Sequence, residues 1–237
     1  SLLKAPETIG QEAALKAIRR LGARPIPTCE VPVIFSASIA TGLIGHFFSA
    51  ISGGNQYRKM SFLAGALGEQ VFPDWMQLIE RPHILRGLAS ARYDADGLAT
   101  YSKPFVEDGR ISSYVLSTYS ARKLGMQSTA NAGGTHNIEV VHGDQGLDSL
   151  IKQMGRGLLV TELIGQGPNI VTGDYSRGAG GFWVENGEIQ FPVDEVTIAG
   201  SLRDMFRNLV AIGNDIEHRS SIATGSILLE KMTVGGR

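Results

Sequence analysis

Apolar and polar positions change rhythm several times along the chain, and each rhythm predicts a different element. Over residues 7–22, ETIGQEAALKAIRRLG, the spacing sets Ala13, Ala14, Ala17, Ile18 and Leu21 on one face with Lys and Arg opposite, the pattern of an amphipathic helix with Gly22 as its C-cap. After the proline-rich ARPIPT, the run VPVIFSAS is dense in β-branched residues and predicts a buried strand. IATGLIGHFFSA, residues 39–50, returns to helical spacing around His46, with Gly53-Gly54 as its stop. No Asp, Glu, Lys or Arg occurs between Val31 and Tyr57, which raises a membrane span. Pro32, Thr41, Gly42, Gly45, His46 and four serines interrupt it too often, so a strand followed by a buried helix is the reading and no membrane partner is expected.

Further along, the period becomes two. YSKPFVEDGRISSYVLSTY holds two strand-like runs about Asp108-Gly109, and GGFWVENGEIQFPV repeats the device about Asn186-Gly187, both type I′ turn signals. Helical spacing returns at about residues 117–124, 146–154 and 201–209. Hairpins mixed with helices predict an α+β fold, an antiparallel β-sheet with hairpins and packed helices, and not a parallel doubly wound sheet.

Composition narrows the functional classes. With 237 residues, 43% of them hydrophobic, the chain can bury one large core or two small ones. Lys plus Arg, 22, nearly balances Asp plus Glu, 23, so no global field recruits nucleic acid or an anionic membrane. Cys29 stands alone and cannot close an internal disulfide, and no CxxC or Cys/His cluster exists, which fits a reducing, cytoplasmic setting.

Chemical motifs are scarce. GRG, GQG and GAGG do not make GxGxxG, and GxxxxGK[ST], GxSxG and HExxH are absent. YDADG, residues 93–97, begins like a calcium loop but lacks the third Asx and the glutamate, and reads as a surface turn. His136 and His142, six apart, would share a face if one strand carried both, with Asp144 nearby as a third ligand; ordinary loop or half-buried histidines are the plainer reading. Asp174, Tyr175, Ser176 and Arg177 in TGDYSRGAGGFW form a polar group in a glycine-rich turn, which either holds a ligand by backbone donors or, more simply, lets Asp174 bond local amides. IATGLIGH itself is either half of a metal site or a buried helix that contains a histidine.

GLLVTELIGQGPNIVTGDYSRGAGGFWVENGEIQFPV, TIAGSLRDMFRNLVAIGND, the terminal TVGG and TYSARKLG at 118–125 change this picture. Through these segments the chain closely resembles the PmbA/TldE branch of the TldD/PmbA family, from about Ile34 to the end. The resemblance implies a cytoplasmic zinc metalloprotease built of two related subunits, each with a further N-terminal domain. Residues 1–30 then read as a linker helix from that domain and 31–237 as the C-terminal TldD/PmbA domain. The family's older name, modulator of DNA gyrase, has no counterpart in any gyrase-binding element of this sequence.

In the TldD-type sibling a helix carries HExxxH and a cysteine near the C-terminus supplies another ligand. Alignment on the Gly-His pair sets Thr41 at the first histidine, Gly42 at the glutamate and His46 at the second histidine, and IATGS sets Thr224 at the cysteine. Catalytic zinc needs about three protein ligands, an open position and a general base for its water, and one imidazole supplies neither set. A spacing of five puts two side chains roughly 140° apart on a regular helix, so the sibling needs a widened turn and Gly45 reads as a relic of it. The resemblance therefore implies no catalytic residue and no metal here, zinc in a TldD-like partner, and His46 as a packing or hydrogen-bonding residue or part of a substrate chamber wall. Unfolded or small peptides are the implied substrates, and hairpin-rich sheets can take an extended peptide as an added strand. Two alternatives stay open: a stand-alone binding or regulatory homodimer without proteolytic role, and an independent hydrolase using His136, His142 and Asp144.

Overall fold

Pro6 opens the first helix, α1 (Pro6–Ile18), where its fixed φ suits the first turn and its missing N–H is not needed. The structure is a computed structural model and describes residues 5–236, so residues 1–4 and 237 of the two expected ranges lie outside the described residues. The expected amphipathic burial of this helix does not occur. None of its residues is buried, Arg19 caps it, and Gly22 lies beyond it with φ of 76°. Polar ties hold the segment instead: Glu12 lies 3.6 Å from Arg219, and Arg20 pairs with Asp194 at 3.1 Å.

Strand β1 (Cys29–Phe35) leads straight into α2 (Ala37–Ala50), a regular α-helix that buries Leu43, Ile44, Phe47 and Phe48. Gly53-Gly54 do not stop this helix. Ile51 caps it, and the glycines open the short α3 (Gly53–Tyr57). A Cβ on Gly53 would stand 2.3 Å from Ser120 Oγ, so the glycine is dictated by the approach of a later helix. The chain continues through β2 (Leu78–Glu80), β3 (Lys103–Glu107) and β4 (Arg110–Ile111), with Asp108 and Gly109 at φ of 49° and 72° as a type I′ turn requires. Helix α4 (Thr118–Leu124) follows, capped by a reciprocal Ser117–Ser120 box and ended by Gly125 in the left-handed region, and then β5 (Ile138–Val140) and α5 (Leu147–Met154).

The second half is mostly strand. β6 (Gly157–Ile164), β7 (Asp174–Glu185) and β8 (Glu188–Ser201) form a meander whose Asn186-Gly187 turn has φ of 55° and 73°. Helix α6 (Leu202–Arg207), β9 (Leu209–Ile212), β10 (Ile222–Ala223) and β11 (Ile227–Gly235) complete the order. GAGG belongs to β7 and not to a glycine-rich turn. A Cβ on Gly181 would stand 1.9 Å from the Leu159 carbonyl oxygen, so close approach of β6 and β7 demands the glycine.

The larger sheet runs β1-β6-β7-β8-β11-β9, and β1 also pairs with β11, so five strands close into a ring with β9 on the remaining length of β11. The smaller sheet is β10-β5-β2-β3-β4. Among the strand pairs of the described residues β1–β6 and β10–β5 alone are parallel, beside one isolated parallel bridge between Ser52 and Val115, which makes this the antiparallel-rich α+β fold that the hairpins predict. Alternation along β1 divides the core. Val33 and Phe35 join the main apolar cluster with Phe47, while Ile34 joins a second cluster with Leu150 and Met154 of α5. Phe47 meets Phe72 and Phe206 edge-on at 5.1 and 6.0 Å, fixing α2 in the main core. Among the described residues no helix is long and apolar enough to cross a membrane.

Candidate functional site

Helix α2 begins at Ser36 without a side-chain cap of its own. The missing acceptor comes from the far end of the sequence: Ser226 Oγ accepts the Ala37 amide at 3.0 Å. Asp215 fixes that serine, taking its hydroxyl at 2.6 Å and its amide at 2.9 Å. The IATGS segment is thereby tied to the first turn of α2. Thr224 within it is fully buried, its hydroxyl donating to the Gly225 carbonyl at 3.1 Å.

Thr41 is half-buried with its hydroxyl 3.5 Å from the Ser38 carbonyl. Gly42 is exposed, and a Cβ there would meet nothing within 4 Å. The widened turn that Gly45 suggested is not present, since α2 is regular throughout. His46, half-buried, lines a cavity of about 370 Å³ with Gly165, Gln166, Gly167, Pro168 and Arg177. Its ring meets Tyr175 edge-on at 6.1 Å.

The electrostatics of this cavity follow from burial and one cation. Burial lowers the His46 pKa from its ordinary value, and the Arg177 charge lowers it further, so the imidazole is neutral at pH 7. Burial pushes Tyr175 up to about 12 against the opposing pull of Arg177, so its phenol keeps its proton. The polar group 174–177 therefore splits by strand alternation: Tyr175 and Arg177 share one face of β7, while Asp174 and Ser176 are exposed on the other. Asp174 bonds locally, accepting the Thr172 hydroxyl at 2.6 Å.

A zinc ion does not fit the residues present. Among the described residues no three His, Cys, Asp or Glu side chains come together as a ligand set, and no carboxylate stands beside His46 to serve as a base. His136 and His142 are not brought together either. The strand between them has only three residues, which leaves both outside it. His136 is buried on Glu80, while His142 is exposed with Nδ1 donating to the Gly143 carbonyl at 2.7 Å. Asp144 is exposed as well. YDADG is a structural turn, but not a purely surface one: buried Asp94 accepts the amides of Asp96 and Leu98 at 2.9 Å each and of Ala132 at 3.0 Å.

Sequence reasoning missed a charged cluster in the smaller sheet. Fully buried Glu80 accepts from Lys103 Nζ, from Asn131 at 2.8 Å, and from the His136 amide and Nδ1 at 2.7 and 3.2 Å. Its partners lie 23 to 56 positions away, so no local spacing signals it. The loop Gly165–Pro168 gives no sequence signal either, because GQG matches no nucleotide motif and its role comes from the Arg177 contact.

A family model described as the PmbA/TldA metallopeptidase C-terminal domain matches residues 28–236. The Metalloprotease PmbA homolog of Haemophilus influenzae is 56% identical over 99% of this chain and 52% of that protein. Metalloprotease PmbA of Escherichia coli O157:H7 is 51% identical over the same shares, 99% and 52%. Among solved structures, a candidate modulator of DNA gyrase from Bacteroides thetaiotaomicron is similar with a TM-score of 0.92 and 31% identity, over 96% of this chain and 52% of that one. TldE from Thermococcus kodakarensis is similar with a TM-score of 0.84 and 26% identity, over 97% and 55%. The chain spans about half the length of the relatives it matches.

Proposed function

We propose, starting from the fact that this chain belongs to the PmbA branch of the PmbA/TldD metallopeptidase family, that it serves as the non-catalytic partner subunit of a heterodimeric zinc metalloprotease. One observation carries the reading: the helix and the C-terminal segment that would hold the metal are tied together through Ser226 and Ala37, yet present only Thr41, Gly42, His46 and a buried Thr224 hydroxyl. Hydrolysis by zinc needs three ligands and a base, and a lone neutral imidazole cannot substitute for them. The scaffold of the site is kept while the donor set is missing, which suits a subunit that shapes a chamber for another's metal.

In this reading a TldD-like subunit holds the zinc, the substrates are unfolded or small peptides, and the assembly works in the cytoplasm. The similarity to a TldE structure supports the same role. Residues 1–30 act as the linker from an N-terminal domain and the rest as the C-terminal domain. The test is to mix the purified chain with a TldD-like protein and assay casein-derived peptides. Peptidase activity that appears only in the mixture, with co-elution of the two proteins, is the expected result. A stable homodimer that ignores the TldD-like protein would replace this reading with the stand-alone binding module.

A further inference from the structure

Arg177 carries a positive charge that nothing in the described chain neutralises. Its Nη2 donates to the Gly165 carbonyl at 2.6 Å, tucking the loop 165–168 against β7. Its Nε is enclosed with no acceptor in hydrogen-bond geometry, and the guanidinium's side-chain partner is the neutral Tyr175 hydroxyl. Among the described residues no carboxylate pairs with it. An unsatisfied buried donor is uncommon enough in folded proteins to require a reason, and here the donor belongs to a half-buried cation on a cavity wall.

The rest of the lining offers complementary features. His46 has a ring contact with Tyr175 but no hydrogen bond among the described residues, so its imidazole keeps a donor for a ligand. The Gln166 and Gly167 amides in the same lining also lack backbone acceptors among the described residues. A cavity of about 370 Å³ suits a small group or a chain end.

We propose that this cavity is a carboxylate-binding site, in which the planar guanidinium of Arg177 takes the anion and His46 adds a second donor. A guanidinium matches a carboxylate in shape as well as charge, since its fork presents two parallel N–H groups. With the imidazole neutral, the pocket carries one net positive charge, which balances a monoanion better than a phosphate. The carboxylate comes from a peptide, as its free C-terminus or as an Asp or Glu side chain. Only this last step rests on the peptidase reading.

The test uses this chain alone, so failure of the site and failure of the partner reading are separable. Calorimetry and the His46 ring NMR signals are followed during titration with four probes: acetyl-trialanine with a free C-terminus, its C-terminal amide, an amidated acetyl-Ala-Glu-Ala, and inorganic phosphate. At least one carboxylate peptide is expected to bind about tenfold or more tighter than the amide of trialanine and to shift the His46 signals. Which of the two binds better assigns the source. Arg177→Gln should weaken that binding about tenfold or more, and Arg177→Lys, which keeps charge but loses the fork, several-fold. If Arg177→Gln fails to fold, Arg177→Lys and His46→Gln decide. Equal binding of acid and amide, no binding of either carboxylate, unchanged binding by the folded variants, or tighter binding of phosphate would each overturn the proposal.

Discussion

Ser226 accepts the Ala37 amide at 3.0 Å across 189 residues of chain, and this bond caps the helix that carries His46. Asp215 holds the serine in place from the other side. Ser226→Ala would leave the Ala37 amide and the Asp215 carboxylate short of a partner, at a cost of about 1–3 kcal/mol. Urea unfolding measures this as a lower midpoint with an unchanged slope. A midpoint equal to that of the parent chain would mean the tie contributes nothing.

Acidity acts on the same helix through His46. Its pKa is lowered in the folded chain, so below the ordinary value of 6.5 the unfolded chain binds the proton first. Stability is therefore present above pH 6.5 and is lost as pH falls from there towards the lowered folded value. His46→Gln should flatten that part of the stability-against-pH curve. NMR titration of the ring gives the direct check, and a midpoint at or above 6.5 would show that the ring is neither desolvated nor influenced by Arg177.

The buried charge cluster makes a larger difference. Glu80 is fully buried and Lys103 nearly so, at 7% exposure, and removing one partner strands the other without water. Glu80→Ala should cost about 3–5 kcal/mol, and adding Lys103→Met should cost less than the two single changes summed. Additive costs would show that the two charges are not coupled.

Two glycines should respond in opposite directions. Gly42 sits in a helix interior with open space around it, so Gly42→Ala should stabilise the chain by about 0.5–1 kcal/mol. Gly181→Ala drives a Cβ into the Leu159 carbonyl, and should destabilise it by about 1–3 kcal/mol. Thermal unfolding of the pair reads both signs at once. A stabilising Gly181→Ala would place the β6–β7 strands farther apart than described.

What the sequence made legible was local. Asn186-Gly187 and Asp108-Gly109 announce their hairpins because a type I′ turn needs left-handed backbone at adjacent residues, and β1 and α2 follow from β-branched density and helical spacing. GAGG reads as a turn because local propensity makes glycine a turn residue, whereas strand approach across Gly181 requires it in β7. Gly53 misled in the same way, its small size serving Ser120 of α4. Glu80 is unreadable as a site residue because burial and pairing across 23 to 56 positions, not spacing, give it its character, whereas Arg177 stands out in the polar group 174–177 but its place on a cavity wall beside His46 does not. The positions Thr41, Gly42, His46 and Thr224 came from a family resemblance, and periodicity alone would have left α2 a buried helix.

In the proposed role this chain lacks the metal chemistry and a partner supplies it. Elemental analysis for zinc, on the purified chain alone and after co-purification with a TldD-like subunit, tests it most directly. Zinc in stoichiometric amount is expected only in the complex, with peptidase activity appearing alongside it. Stoichiometric zinc in the chain alone would mean that His46 has co-ligands the fold does not display, and would rule out a metal supplied by the partner.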